Sequence, residues 1–139
     1  MRFVDASVFL YAYLKPKRAT SSSITNMKLQ AKNIVARINA GERVFTSVIH
    51  LSEVANILEA VMPLNESRKI LKDLTYSETI EILASRNQDF SDAIEIAEES
   101  NVGVNDAVAS ILMRSNGISE VYSFDTDFDG ISGIKRITH

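Results

Sequence analysis

The stretch "RFVDASVFLYAYL", Arg2–Leu14, packs a whole structural unit into thirteen residues. "RFV" reads as a short buried strand. Asp5 and Ser7 make a polar turn after it, and an apolar helix begins at Ser7 and is interrupted by Pro16. A strand that runs straight into a helix cannot pair with its own successor through a hairpin. It needs a crossover, and crossovers build parallel sheets.

The rest of the chain repeats that rhythm. Met27, Ala31, Ile34, Val35 and Ile38 recur at helical spacing and stop at Gly41. "RVFTS" is a second strand, and Ser47 is placed to cap the helix after it. Leu51, Val54, Ala55, Leu58, Val61 and Met62 line one face of that helix, and Pro63 ends it. A shorter helix is predicted over Glu66–Leu74 and a strand around Thr79–Leu83. Phe90, Ala93, Ile94 and Ala97 form another stripe. Val104, Val108, Ile111 and Leu112 bury a further helix that stops at Asn116 and Gly117. "EVYSF" is the fourth strand, and "GIKRI" reads as the last. Short apolar strands separated by helices predict an α/β fold with a parallel sheet covered on both faces. "KPKRATSSSITN", Lys15–Asn26, carries no periodic pattern and is the segment expected to be mobile.

Composition narrows the chemistry. The 139 residues fit one domain, 1–139, with room for a core. There is no cysteine, so disulfides, thiolate metal sites and cysteine nucleophiles are excluded. No apolar run approaches the roughly 20 residues of a membrane span, and the N-terminus lacks a signal-like cleavage region. A cytoplasmic location is expected. The formal charge of −3 argues against a broad basic surface for duplex DNA, though not against a nuclease with concentrated carboxylates.

The acids carry the functional signal. Asp5 ends the first strand, Asp125 ends the fourth, and Asp106 sits near the start of the helix before it. Ligands of open parallel sheets bind at the carboxyl ends of strands, so all three fall at the functional edge. Glu53 lies one position off the apolar stripe of its helix and can look along the core toward the sheet. Carboxylates sharing a cleft repel one another, and a hard divalent cation relieves that repulsion. Such an ion polarises a phosphodiester, and a carboxylate orients the attacking water.

Together, "FVDASVFLYAYL" with Asp5, "TSVIHLSEVANIL" with Glu53, "GVNDAVAS" with Asp106 and "VYSFDTDFDGISGIKRI" with Asp125 resemble the PIN-domain ribonucleases, and among them the toxins of VapBC toxin–antitoxin pairs. The four occur in the family's order over residues 3–137. The resemblance implies a three-layer α/β/α sandwich on a five-stranded parallel sheet and a Mg²⁺- or Mn²⁺-dependent endoribonuclease. It implies that Asp5, Glu53, Asp106 and Asp125 form an acidic pocket, with Ser7 and Ser123 as supporting hydroxyls. It also implies a homodimer and a small antitoxin whose tail enters the active-site groove. The family includes RNA-processing nucleases, and the fold also serves DNA or flap nucleases and non-catalytic interaction modules.

The neighbours of these acids need separate readings. "DTDFDG" mimics the start of a calcium loop, but position twelve is Arg136 rather than a glutamate. Asp127 is an accessory candidate for the metal or its water shell, whereas Asp129 reads as a loop cap. His50, three residues before Glu53, has the spacing of a metal pair with it but reads as a packing, capping or surface hydrogen-bonding residue. Lys15, Lys17 and Arg18 are candidates for RNA-backbone contact, against a solvated loop.

Overall fold

The structure is a computed structural model that describes residues 1–15 and 21–139. Pro16, Lys17 and Arg18 lie outside the described residues. The elements run β1 Arg2–Val4, α1 Ala6–Tyr13, α2 Ser22–Asn39, β2 Val44–Ser47, α3 Val48–Val61, α4 Leu64–Thr75, β3 Ile80–Leu83, α5 Asn87–Ser100, α6 Val104–Ser115, β4 Glu120–Tyr122 and β5 Lys135–Ile137. A 3₁₀ turn, Thr126–Gly130, joins the last two strands.

The five strands form one sheet in the order β3-β2-β1-β4-β5, and every neighbouring pair is parallel. The chain first steps outward from β1 through β2 to β3. It then jumps back across the sheet to β4. Parallel crossovers are right-handed, so reversing the direction of travel puts the later helices on the other face. Hence α1 to α4 share one apolar cluster with Val4, Val44, Ile80 and Tyr122. On the opposite face Phe3 and Val121 pack with Ala109 and Met113 of α6. Ala107, Val108 and Leu112 of α6 meet Ala93 and Ala97 of α5. Phe3 and Val4 are both fully buried yet belong to different clusters. That is the two-residue alternation of a strand covered on both sides.

The reversal leaves a switch point between β1 and β4, paired as Phe3 with Val121 and Val4 with Tyr122. The Asp5 N–H extends this ladder by donating to the Tyr122 carbonyl at 3.0 Å. The two strands therefore deliver Asp5 and the Ser123–Asp125 turn side by side.

At the opposite edge, Tyr122 sends its hydroxyl back past the strands. It donates to Glu42 at 2.7 Å and accepts from Arg2 and Arg37 at 2.8 and 3.1 Å. This network ties β1, β4 and the α2–β2 corner together away from the acids.

Three local expectations are corrected. Ser21 to Asn26 are ordered: Ser21 caps α2, its hydroxyl accepting from the Ile24 N–H at 3.3 Å, so the helix starts five residues before Met27. Three consecutive serines obscured that start, because each is an acceptable cap. In α5 only Ala93 and Ala97 of the expected stripe are buried, while Phe90 and Ile94 are exposed. Alanines let α5 pack closely on α6, which rotates the larger side chains outward. Val61 of α3 is exposed as well, at the end of its helix.

Candidate active site

Asp5 is the N-cap of α1 and is almost wholly buried. Its Oδ2 accepts from the Ser7 and Ser123 hydroxyls, at 2.7 and 2.8 Å, and from the Ser7 N–H at 3.3 Å. Each serine spends its single proton on that oxygen. Each then accepts from the β4 exit turn, Ser7 from the Phe124 N–H and Ser123 from the Asp125 N–H, both at 3.0 Å. The two hydroxyls thus couple the Asp5 carboxylate to the backbone that carries Asp125.

Asp125 caps the 3₁₀ turn, its Oδ1 accepting from the Asp127 N–H at 2.9 Å. That cap bends the chain so that Asp127 returns toward the same edge. The Asp127 Oδ2 in turn accepts from the Gly103 N–H at 3.1 Å, just before α6. Asp106 follows in the first turn of α6, buried at 6% exposure. A Cβ on residue 103 would lie 3.3 Å from the Asp106 Oδ2, so glycine there leaves the carboxylates room to approach.

Among the described residues, Asp106, Asp125 and Asp127 bring one carboxylate oxygen each to within 4.8 Å of one another. The electrostatic consequence falls on Asp106. Burial pushes its carboxyl up, and the charges of Asp5, Asp125 and Asp127 push further, to about 8. Asp127 also accepts a hydrogen bond that favours the protonated form. Glu53, half-buried on α3, is raised mainly by burial and then by the Asp5 and Asp125 charges. The Asn105 amide opposes this rise by hydrogen bonding. Glu53 and Asn105 line an open cleft of about 270 Å³ with Ser52, Asn56 and Phe90.

An all-oxygen donor set that cannot ionise fully by itself is suited to a hard divalent cation. Mg²⁺ and Mn²⁺ take carboxylate oxygens and keep several waters, and no softer nitrogen or sulfur donor enters the trio. The grouping differs from the sequence expectation in one respect. Asp127, expected as an accessory, stands with Asp106 and Asp125, whereas Asp5 is fixed beside them by hydroxyls. Asp129 is no loop cap. It forms a two-pronged ion pair with Arg136, both contacts at 2.9 Å.

Sequence reasoning missed two backbone and side-chain partners, the Gly103 N–H and the Asn105 amide. Both sit in "VGVND", two residues either side of Val104 at most, where a helix start was already legible. Replacing Ser123 with alanine is expected to lower stability by about 1–3 kcal/mol, because the Asp125 N–H loses its acceptor and Asp5 a donor. Urea unfolding measures it, and an unchanged midpoint would show that the hydroxyl is dispensable.

Comparisons with known proteins agree with this architecture. Residues 2–134 match the family described as PIN domain. The fold is similar to that of VapC20 from Mycobacterium tuberculosis, described as a sarcin–ricin-loop-cleaving toxin. The TM-score is 0.75 at 21% identity, covering 100% of both chains. It is also similar to a Pyrobaculum aerophilum protein, with a TM-score of 0.63 at 17% identity over 97% of this chain and 87% of that one. A sequence search of curated proteins gives no match. Among the described residues no helix is long and apolar enough to cross a membrane.

Proposed function

The chain belongs to the PIN domain family, and from that membership we propose that it is a divalent-metal-dependent endoribonuclease, the toxin of a type II toxin–antitoxin pair. The observation that carries the proposal is the convergence of Asp106, Asp125 and Asp127 at the switch point of the sheet, beside Asp5. The similarity in fold to a toxin described as cleaving the sarcin–ricin loop is in keeping with this reading.

Asp5, Asp106 and Asp125 would hold Mg²⁺ or Mn²⁺, with Asp127 as a further ligand or a partner to its waters. A bound cation would neutralise these carboxylates and polarise the scissile phosphodiester. The protein's own contributions follow from the geometry. Ser7 and Ser123 hold the Asp5 carboxylate in one orientation through Oδ2 and leave Oδ1 without a hydroxyl partner. The Gly103 N–H does the same for Asp127. Glu53, on the open side of the cluster, orients the attacking water and takes its proton. Its raised pKa brings it nearer neutrality, where a general base works best.

A second copy of the chain and a small antitoxin are the proposed partners. An apolar groove of about 400 Å³ runs from Ser7 along Leu10, Tyr11 and Ile24, next to the acids, and offers room for an inhibitory segment.

The direct test is Asp5→Asn, which keeps volume and hydrogen-bond acceptance but removes the charge. It is expected to abolish Mn²⁺-dependent cleavage of single-stranded RNA while circular dichroism shows the fold intact. Undiminished cleavage by this variant would sink the assignment. Mn²⁺ binding without any cleavage by the unaltered protein would favour a non-catalytic interaction module.

A further inference from the structure

One buried polar side chain plays no part in the mechanism above. His50 lies in the first turn of α3, with no exposed surface. Its ring stands edge-on to Phe3, with centroids 5.0 Å apart. The Nδ1 atom is 2.6 Å from the Ser47 hydroxyl. The Nε2 atom is buried with no hydrogen-bond partner of acceptable geometry. It faces the Asp5 Oδ1 across 3.9 Å.

Counting protons decides which nitrogen carries the hydrogen. Ser47 is the N-cap of α3, so its oxygen already accepts from the His50 N–H, at 3.2 Å. Ser47 is fully buried, and among the described residues the Nδ1 atom is the acceptor within reach of its own proton. If Nδ1 carried the hydrogen instead, the serine proton would be stranded. A bare Nε2 lone pair would also face a carboxylate. Both are costly in a buried site, where water cannot take the place of the missing partner. The ring is therefore neutral with hydrogen on Nε2.

We infer that His50 is a positioning residue for Asp5: the Ser47 hydroxyl fixes the imidazole tautomer, and the Nε2–H is aimed at the Asp5 oxygen that the serines leave free. Oδ2 takes all three hydrogen bonds from Ser7 and Ser123. Oδ1 lies 3.9 Å from Nε2, so the imidazole limits how far the carboxylate can swing on that side. The gap is about 1 Å longer than a hydrogen bond, which a small rotation of either side chain closes. A neutral donor fixes the oxygen without cancelling the charge that a cation needs. The inference rests on the proposed role of Asp5 as a ligand. It extends the site to a Ser47–His50 pair at the junction of β2 and α3 that no carboxylate pattern reveals.

Two measurements test it. Nitrogen-15 NMR of the metal-free protein, labelled at histidine, is expected to show His50 neutral with the proton on Nε2. The Nδ1–H tautomer or a charged ring near pH 7 would overturn the inference, whatever the enzyme does. Second, His50→Gln places an amide N–H where Nε2 stood, while His50→Leu fills the volume with no donor. Calorimetric Mn²⁺ affinity is expected to stay near that of the unaltered protein for Gln and to fall about 10-fold or more for Leu. Equal affinities in the two variants would overturn the inference. If the Leu variant fails to fold, the tautomer measurement decides alone. Asp5→Asn retaining full activity would defeat the role of Asp5 instead and leave the tautomer assignment standing.

Discussion

Replacing Asp106 with asparagine is expected to eliminate cleavage and, in the same variant, to make the metal-free protein more stable. The two effects share one cause. Asp106 is pushed up to about 8 from an ordinary 3.8, first by burial and then by Asp5, Asp125 and Asp127. Between those two pH values the folded chain holds a proton that the unfolded chain has released. Stability therefore falls as pH rises from about 4 to about 8, and levels off above that. Asparagine carries no such proton, and its amide can still donate toward Asp127. The gain in melting temperature should be absent below pH 4, grow through neutrality and reach its full size near pH 8. Activity should drop by more than the roughly 10–100-fold typical of losing a group that merely supports a ligand. A variant that melts with the unaltered protein at every pH would contradict the repulsion inferred for this cluster. Natural sites commonly sacrifice stability for function in this way.

Divalent metal should reverse the same deficit. A cation and a proton compete for the Asp106 oxygens, so Mn²⁺ binding should strengthen as pH rises to about 8. Near pH 7 most Asp106 carboxyls are protonated, and binding should release about one proton from that group. Calorimetry in buffers of different ionisation enthalpy reads the release directly. Added Mn²⁺ should raise the melting temperature more at pH 8 than at pH 6. At a hundred times its dissociation constant it should contribute about 2.7 kcal/mol. Chelation should remove both the gain and the cleavage. Proton release near zero at pH 7 would mean that the metal does not displace the proton on Asp106.

Much of the fold was legible because its signals are local. "RFV", "RVFTS" and "EVYSF" are short apolar runs closed by polar turns, and helical stripes lie between them. The helix start at Ser21 was not, since three adjacent serines are equivalent caps until one bonds to Ile24. Nor was the outward turn of Phe90 and Ile94. Which face of α5 is buried depends on how closely α6 approaches, and no stripe within α5 records that distance.

The acids divide along the same line. Asp5, Asp106 and Asp125 could be placed near one sheet edge, because strand ends and helix starts are visible in the chain itself. Asp127 could not be ranked that way. Its position depends on the Asp125 side chain capping a 3₁₀ turn and on a Gly103 N–H from 24 residues earlier. Asp129 shares the alternating pattern but is claimed by Arg136 from the neighbouring strand. His50 was legible as a capping or packing residue and silent about Asp5. By itself the sequence determined the order of elements and which acids lie at strand ends and helix starts. Tertiary structure decided which oxygens meet, which stay protonated and which imidazole nitrogen faces them. Those depend on burial and on distances of a few ångströms between segments far apart in the chain, and charge interactions change steeply over that range.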